Sequence, residues 1–231
     1  MSSANIQEIF RSIQGEGLYS GVPAIFVRFS ECNLRCGYCD TKRSWRKTKH
    51  CLYQPVEFSR RQVRVPNDIS AEDCADMIFW LAPQGLVSFT GGEPLLQAKY
   101  IAEVIKLLGT KYTYLIETNG TLPQALKYLP EQKNIVYSVD LKNQKFVSFY
   151  KAIPKKSQKY IKIVLEKDLD ITNILAMLKS LRVASATNPL FLQPIDNKLD
   201  KKQLQKWMYI LDKSGYKYRI TPQIHKSLRL K

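Results

Sequence analysis

The sequence predicts an α/β fold, a partial (β/α) barrel whose sheet is mostly parallel. Short runs rich in β-branched and aromatic residues alternate with helical stretches, which is typical of βα units and a parallel sheet. Polar residues follow several of these runs, where parallel α/β folds bind their ligands. The 231 residues, 45% of them hydrophobic, are enough to bury the core of one domain.

The predicted elements follow one another without an internal repeat or a low-complexity linker. We therefore expect a single domain covering residues 1–231. The predicted strands, in chain order, are 24–30, 86–90, 112–117, 136–139, 160–165, 190–193 and 216–220. The predicted helices are 69–81, 97–108, 171–181 and 201–214.

Residues 42–68 lack clear periodicity and are expected to form a basic insertion. Between residues 42 and 64, the single acid Glu57 stands against Lys42, Arg43, Arg46, Lys47, Lys49, Arg60, Arg61 and Arg64. The chain as a whole has a net charge of +16, and such a field attracts anionic partners, including nucleic acid. No recognition helix or RNA-binding motif accompanies the charge, so a solvated basic loop is preferred and a nucleic-acid partner is not expected.

Composition and cysteine count also indicate the cellular compartment of the protein. No apolar run approaches the length needed to span a bilayer, and the N-terminus lacks the basic and apolar segments of a signal peptide. The five cysteines are an odd number, which argues against a disulfide framework and for a reducing compartment. We expect a cytoplasmic protein with no membrane partner.

Three closely spaced cysteines, Cys32, Cys36 and Cys39, are the most informative feature for function. Iron–sulfur clusters are usually closed by four cysteines, so this C-x3-C-x2-C pattern leaves one iron for another ligand. In this spacing the usual ligand is S-adenosylmethionine (SAM), whose reductive cleavage gives a 5′-deoxyadenosyl radical that removes hydrogen from C–H bonds. A structural zinc site, with His50 or Cys51 as the fourth ligand, is the alternative.

Residues 88–94 (SFTGGEP) favour the iron–sulfur interpretation over zinc. The paired glycines follow an apolar run, and they allow the backbone at the end of a strand to approach a ligand closely. A SAM site needs such an element and a zinc site does not. Cys74 lies in the amphipathic stretch 69–81 and is expected to be a buried residue without a role in the site.

Hydrogen-bonding residues follow five of the predicted strands. Each could be an ordinary cap or turn, but their joint occurrence after apolar strands favours a shared site at one edge of the sheet. These positions are Cys32, 90–93 (TGGE), 117–120 (ETNG), 138–142 (SVDLK) and 193–196 (QPID).

The order of these motifs resembles the 7-carboxy-7-deazaguanine synthase family of the radical SAM superfamily. The resemblance begins at residues 12–17 (SIQGEG) and ends at residues 222–226 (PQIHK), so it covers nearly the whole chain. The main departure is the basic stretch 42–68, which is shorter in many relatives. The other matching segments are 21–29, 32–41, 91–94, 117–120, 138–142 and 192–196.

The resemblance implies a radical SAM fold and a defined reaction. Members of the family convert 6-carboxy-5,6,7,8-tetrahydropterin into 7-carboxy-7-deazaguanine in queuosine and deazapurine biosynthesis, contracting a ring and expelling ammonia. SAM acts there as a reusable radical initiator, and Mg²⁺ assists. The resemblance also implies an electron donor such as flavodoxin or ferredoxin, and a homodimer.

Site residues are implied by the same resemblance. Cys32, Cys36 and Cys39 would bind a [4Fe–4S] cluster, Thr41 would be the protein ligand of Mg²⁺, and no catalytic residue is assigned beyond the cluster and SAM. The residues implied in SAM binding are Tyr38, Asp40, Gly92, Ser138, Lys142, Gln193 and Asp196. The residues implied in substrate binding are Ile13, Gln14, Gly15, Glu16, Arg28, Thr90, His225 and Lys231.

The chemistry of several of these residues suits the implied roles. Arg28 has a planar guanidinium that can pair with a carboxylate, and Gln14 and Glu16 offer the donors and acceptors that a pterin edge needs. The resemblance further implies that residues 221–231 fold over the substrate. The α-carboxylate of Lys231 would then accept hydrogen bonds from the pterin.

Two other functions remain open from the sequence alone. A glycyl-radical-enzyme activase shares the cysteine triad but acts on a protein backbone, and it has no reason to keep both residues 14–16 (QGE) and residues 222–226. A metal-containing, nucleic-acid-binding regulator would fit the net charge of +16.

Overall fold

The structure is a computed structural model that describes residues 2–56, 61–166, 169–181, 190–195, 200–228 and 230. These residues form twelve strands and six α-helices. The strands are β1 (Ser3–Ala4), β2 (Ile6–Ile13), β3 (Pro23–Phe29), β4 (His50–Tyr53), β5 (Val63–Pro66), β6 (Ile69–Ser70), β7 (Gly85–Gly91), β8 (Tyr112–Thr118), β9 (Ile135–Asp140), β10 (Gln158–Leu165), β11 (Leu190–Pro194) and β12 (Tyr218–Ile220). The helices are α1 (Ala71–Leu81), α2 (Ala98–Leu108), α3 (Lys145–Ala152), α4 (Ile171–Ser180), α5 (Lys201–Lys213) and α6 (Ile224–Ser227).

Ten of these strands form one sheet in the order β12-β11-β10-β9-β8-β7-β3-β2-β4-β5. All strand pairs from β12 to β3 are parallel, which confirms the prediction of a mostly parallel α/β sheet. On the other side of β3, β2 runs antiparallel to it, β4 pairs parallel with β2, and β5 pairs antiparallel with β4. Strands β1 and β6 form a separate short antiparallel pair.

The structure adds elements that the sequence patterns do not predict. Strand β2 and helix α3 are absent from the expected set. The stretch 42–68, which shows no clear periodicity, contains a 3-10 helix (Lys42–Trp45) and the hairpin β4–β5 that extends the sheet. The helix expected at 69–81 begins at Ala71, because residues 69–70 pair with β1 and the Ser70 side chain accepts a hydrogen bond from the Asp73 N–H.

The inner face of the sheet changes from apolar to polar along its strands. Side chains alternate between the two faces of a strand, so positions two and four residues apart share a face. A buried apolar cluster lies towards the amino ends of the parallel strands and consists of Phe10, Ala24, Phe26, Leu86, Leu115, Val136, Tyr160 and Phe191. Polar residues follow on the same face towards the carboxyl ends, namely Arg28, Ser88, Thr90, Glu117, Ser138, Asp140, Lys162 and Gln193.

The outer face of the sheet packs against the helices. The larger buried cluster joins strand residues to Ile78 of α1, Ile101 of α2, Phe149 of α3, Leu178 of α4 and Leu211 of α5. Burial of this apolar surface is the main favourable contribution to folding. Among the helices of the described residues, none has both the length and the apolar character needed to cross a membrane.

Contacts across the inner face show that the sheet curls into a partial barrel. Four strands separate β2 from β10 in the sheet, yet the segment after β2 touches β10. A Cβ added at Gly17 would lie 2.6 Å from the hydroxyl oxygen of Tyr160. The Nζ atom of Lys162 lies 2.7 Å from a carboxylate oxygen of Glu16. The polar ends of the strands therefore surround a common space.

Candidate active site

A cavity of about 590 Å³ occupies the polar end of the barrel. Its walls are formed by the carboxyl ends of the parallel strands, by the loop after β3 and by the residues around the start of α6. This is the position at which parallel α/β folds bind ligands.

The three clustered cysteines lie in the loop after β3 and are half-buried in the cavity wall. The Cys32 sulfur accepts hydrogen bonds from the Leu34 N–H at 3.4 Å and from Asn119 Nδ2 at 4.0 Å. The Cys39 N–H donates to the Cys36 carbonyl at 3.2 Å. Burial raises the pKa of the Cys32 thiol, and a metal ion would offset this by stabilising the thiolate. Three half-buried cysteines on one cavity wall, one of them with hydrogen-bond donors at its sulfur, fit a [4Fe–4S] cluster.

The zinc alternative does not fit the same region. His50 is exposed and Cys51 is completely buried, because successive residues of β4 point to opposite faces. Burial raises the pKa of Cys74 to about 12, so that thiol stays protonated. Within the described part of the chain, no three His, Cys, Asp or Glu side chains converge as a single-ion site requires.

Gly91 and Gly92 place bare backbone against the cysteine loop. Gly91 has a φ of 116°, which only glycine adopts readily, and a Cβ added at Gly92 would lie 1.8 Å from the Glu31 carbonyl oxygen. Across the cavity, the buried Oε1 atom of Gln193 has no hydrogen-bond partner among the described residues. A buried acceptor without a donor is costly in a folded protein unless a ligand supplies one. The unpartnered acceptor fits a polar ligand such as SAM, and the glycines allow the end of β7 to pack closely against the cysteine loop that borders it.

Glu93 follows these glycines but is buried behind the cavity wall. Its carboxylate accepts hydrogen bonds from Thr118 Oγ1 at 2.7 Å, the Asn119 N–H at 2.8 Å and the Leu95 N–H at 3.1 Å. Burial nevertheless raises the pKa of Glu93 to about 7. This side chain ties the end of β7 to the end of β8.

A chain of charged side chains crosses the cavity. Lys162 pairs with Glu16 at 2.7 Å and with Asp140 at 3.2 Å, while Lys142 pairs with Asp140 at 3.0 Å and donates to the Tyr38 hydroxyl at 3.1 Å. Burial alone would lower the pKa of each lysine, but Asp140 and the other partners raise it. Burial alone would raise the pKa of Glu16, but Lys162 and neighbouring hydrogen-bond donors lower it to about 2. Glu16, Lys142 and Lys162 are therefore charged at neutral pH.

Glu117 forms a second network deeper in the barrel. Its Oε1 atom accepts from Gln14 Nε2 at 2.7 Å and from the Ser88 hydroxyl at 2.6 Å. Its Oε2 atom accepts from the Thr90 hydroxyl at 3.2 Å. Two predicted substrate-binding residues, Gln14 and Thr90, are thus oriented by one carboxylate.

Arg28, near the end of β3, lines the cavity and is held by the carboxylate of Glu8. Its Nε atom donates to Glu8 Oε1 at 2.7 Å, and the same oxygen accepts a hydrogen bond from Arg43 Nη2. The Arg28 guanidinium also lies 5.8 Å from the ring centroid of Phe10. Both guanidinium side chains line the cavity.

The residues around α6 pack against the segment after β2. The Ile224 N–H donates to the Gly15 carbonyl at 3.1 Å, and Gln223 Nε2 donates to Glu16 at 2.8 Å. The His225 ring lies directly over Gly15, where an added Cβ would come within 1.8 Å of Nδ1. Burial lowers the pKa of His225, which favours the neutral imidazole.

The structure gathers most of the sequence-predicted site residues around this cavity. Ser138 is buried beneath the lining, and Asp196 and Lys231 lie outside the described residues. The predicted residues that line the cavity are Ile13, Gln14, Gly15, Glu16, Arg28, Cys32, Cys36, Tyr38, Cys39, Asp40, Thr41, Thr90, Gly92, Lys142, Gln193 and His225.

Several lining residues had no assigned role in the sequence analysis. Lys162 interrupts the otherwise apolar run 160–165 (YIKIVL) of β10, and a charge inside such a run is a signal that could have identified it. Arg43 lies within the basic insertion, where nothing in the local pattern distinguishes it from its neighbours. The lining also includes Glu117, Asp140 and Gln223, which lie in segments that the sequence analysis singled out but had no individual role there.

Comparison with known proteins agrees with this geometry. Residues 27–179, more than half of the chain, match the family model described as the radical SAM superfamily. The fold and the cysteine loop thus define a radical SAM protein. A 7-carboxy-7-deazaguanine synthase of Archaeoglobus fulgidus is 33% identical, with 97% of this chain and 98% of the relative covered. One from Thermoplasma acidophilum is 31% identical, with 96% and 95% covered. The chain belongs to the 7-carboxy-7-deazaguanine synthase family.

Among solved structures, QueE from Escherichia coli superimposes with a TM-score of 0.67 at 23% identity. The superposition covers 95% of this chain and 94% of that one. This likeness supports the fold.

Proposed function

We propose that the protein converts 6-carboxy-5,6,7,8-tetrahydropterin into 7-carboxy-7-deazaguanine with loss of ammonia, in queuosine and deazapurine biosynthesis. The main observation in support is that one cavity contains both the cysteine loop and a set of groups complementary to an anionic pterin. A guanidinium, Arg28, is available for the carboxylate, and Gln14 and Glu16 offer a donor and acceptors for the ring edge.

The residues near the cysteine loop form the proposed SAM site. When bound, the cluster and SAM supply a carbon-centred radical that removes hydrogen from the substrate. The bare backbone at Gly92 and the unpartnered acceptor of Gln193 would bind the polar end of SAM. Lys142 holds the Tyr38 hydroxyl in place from across the cavity. Asp40, Ser138 and Asp196 stay in the proposed SAM-binding set on the resemblance alone.

The opposite side of the cavity forms the proposed substrate site. Glu117 orients Gln14 and Thr90, Lys162 fixes Glu16, and Gly15 allows His225 to pack closely over the ring site. Ile13 contributes an apolar wall. Lys231 remains in the proposed set on the resemblance alone.

The overall reaction is redox-neutral, because substrate and product differ only by one molecule of ammonia. SAM is therefore proposed to be regenerated in each turnover. Deuterium at C6 of the pterin should then appear in recovered SAM. Stoichiometric accumulation of 5′-deoxyadenosine with product would contradict a regenerated SAM.

We propose Thr41 as the protein ligand of Mg²⁺. Mg²⁺ prefers oxygen ligands and keeps several waters, so one hydroxyl and substrate oxygens can be enough. Thr41 lines the cavity, and its Oγ1 atom lies 3.7 Å from the Cys39 sulfur. Thr41→Ala should raise the Mg²⁺ concentration needed for half-maximal activity, whereas Thr41→Ser should not.

The proposed partners are a one-electron donor, such as flavodoxin or ferredoxin, and a second copy of the chain in a homodimer. Exposed basic residues at the cysteine loop, including Arg35, Lys42 and Arg46, would favour an acidic donor electrostatically. The thiolate-bound cluster requires a reducing compartment, so we propose a cytoplasmic location.

The decisive test is an anaerobic assay of the reconstituted protein with SAM, Mg²⁺, a reductant and 6-carboxytetrahydropterin. Mass analysis should detect 7-carboxy-7-deazaguanine, and an ammonia assay should give one equivalent per product. A cluster-loaded protein that cleaves SAM but leaves the pterin intact would exclude the proposed substrate.

A further inference from the structure

We propose that Arg43 is a second carboxylate-binding residue that acts together with Arg28 and determines selectivity for a carboxylated substrate. The proposal rests on the proposed function, since it concerns the pterin carboxylate in the same cavity. Arg43 belongs to the 3-10 helix Lys42–Trp45 at the start of the basic insertion.

The Glu8 carboxylate contacts two guanidinium groups. Two guanidinium groups share the single Oε1 atom of Glu8, whose side chain is only 1% exposed. Together these three groups carry a net charge of +1, and the two guanidinium groups line the cavity, where they complement one carboxylate. The Arg28 and Arg43 side chains remain 15% and 54% exposed, so both have donors that can reach a ligand.

The backbone that presents Arg43 is anchored on two sides. Gln7 Nε2 donates to the Arg46 carbonyl at 2.8 Å, which fixes the end of the 3-10 helix against β2. Ser44 is buried, and its carbonyl oxygen would lie 2.9 Å from a Cβ added at Gly92. Arg43 is therefore held next to the proposed SAM-binding glycine and is not part of a free loop.

The geometry suits a carboxylate bound between two guanidinium groups. Arg28 approaches from β3 and Arg43 from the insertion, and both guanidinium groups donate to the same oxygen of Glu8. Hydrogen bonds between charged partners are shorter and stronger than neutral ones, and a planar guanidinium matches the two oxygens of a carboxylate.

A purely structural role for Arg43 would give a different result in a binding experiment. If Arg43 served only to neutralise Glu8, its loss would affect all ligands of the cavity alike, or would affect stability alone. If Arg43 binds the carboxylate, its loss should affect only ligands that have one.

The test compares two probes, 6-carboxytetrahydropterin and tetrahydropterin without the carboxylate, by anaerobic equilibrium binding to cluster-loaded protein with SAM. Arg43→Ala should weaken binding of the carboxylated probe by about ten- to a hundred-fold and leave the other probe unchanged. Arg43→Lys should recover only part of the loss, because it lacks the planar guanidinium. The matched control is Arg46→Ala, which removes an exposed arginine near the same turn.

Two outcomes would overturn the proposal: equal losses for both probes in Arg43→Ala, or no loss for either. Turnover of 6-carboxytetrahydropterin by the unaltered protein separates these outcomes from a failure of the proposed function. If the unaltered protein turns over the pterin and Arg43→Ala binds both probes as the parent does, only the proposed role of Arg43 is refuted. Without turnover, the substrate assignment falls as well.

Discussion

At the scale of single residues, charged side chains around the cavity are held in position by ion pairs and hydrogen bonds with one another rather than by solvent. Lys162 lies between Glu16 and Asp140, and Lys142 links Asp140 to Tyr38 in the cysteine loop. Removing one partner from such a buried network leaves the other charge uncompensated, which is strongly destabilising. Each of these residues is therefore constrained by its neighbours as well as by any ligand.

The cysteines should divide into two groups on replacement. Cys36→Ala should lose nearly all cluster iron and activity, because three thiolates are needed to bind the cluster while one iron stays open. Cys74→Ala should keep both, since burial raises the pKa of that thiol to about 12 and keeps it protonated. Iron and sulfide analysis of the anaerobically reconstituted variants checks this. Full iron content in Cys36→Ala would refute the ligand assignment.

Glu93 should make stability depend on pH. Its pKa is raised from an ordinary 4.5 to about 7 by burial, so the folded state binds its proton more tightly than the unfolded state does. The stabilisation from this group is thus complete below about pH 4.5 and is lost as the pH rises through 7. Glu93→Gln has no ionisable group at this position, so its stability should not show this loss as the pH rises.

Between pH 5 and pH 8, the stability of the parent relative to Glu93→Gln should fall by about 2–3 kcal/mol. Urea unfolding of the SAM-free proteins at several pH values measures this difference. Glu131→Gln, at an exposed position, should show no comparable trend. A pH-independent difference between parent and Glu93→Gln would show that Glu93 is not protonated more readily in the folded state.

The residues that sequence analysis could identify are those whose types are rare in their positions. Three cysteines within eight residues, or glycines at a strand end, have few structural explanations. Arg43 and Glu8 could not be identified in this way, because an arginine among many basic residues and a glutamate in a mixed segment are common. Only folding of residues 42–46 against β2 shows that the two side chains meet.

At the scale of elements, the main parallel strands and most of their helices followed from apolar patterns, whereas strands with mixed patterns and the short helix α3 did not. Strand β2 (IQEIFRSI) contains the buried polar residues Gln7, Glu8 and Ser12. Because these buried positions are not apolar, the strand cannot be recognised from hydrophobicity alone. Strand β5 of the hairpin β4–β5 is mostly exposed. It therefore has no row of buried apolar residues from which a strand could be predicted. Both elements are stabilised by tertiary contacts more than by local propensity.

Ser70 should matter for stability and not for the site. It caps α1 by accepting the Asp73 N–H at 3.1 Å, and it lies on the outer side of the sheet. Ser70→Ala should lower the free energy of unfolding by about 1 kcal/mol, and the Tm by about 2–4 °C. Calorimetry measures the shift.

Ser148→Ala, on the exposed face of α3, is the control and should change the Tm little. Cluster content and SAM binding should be unchanged in both variants. An unchanged Tm in Ser70→Ala would mean that the cap contributes nothing measurable.

At the scale of the whole molecule, the site exists because the sheet curls and two distant segments meet. Gly15 and His225 show how closely they pack. Gly15→Ala should destabilise the protein by about 1–3 kcal/mol and weaken pterin binding, because the new methyl group overlaps the imidazole ring. The double variant Gly15→Ala/His225→Ala should regain stability by removing that overlap. Calorimetry and anaerobic pterin binding measure the two effects.

Gly37→Ala is the matched control, since a Cβ at that position meets no atom within 4 Å. It should be nearly silent in stability. If Gly15→Ala were as stable as Gly37→Ala, the close packing of His225 over Gly15 would not exist in solution.

The hydrogen bond between Gln223 and Glu16 joins residues 207 positions apart in the chain. During synthesis, residues 14–16 therefore leave the ribosome long before their partners exist. The curled sheet stays incomplete until the last residues are synthesised, and contacts of such high sequence separation are slow to form. A nascent or truncated chain that has not yet added residues 223–226 has the cysteine loop but lacks part of the cavity wall. The cysteine ligands and the last part of the cavity wall are thus completed at different points in the synthesis of the chain.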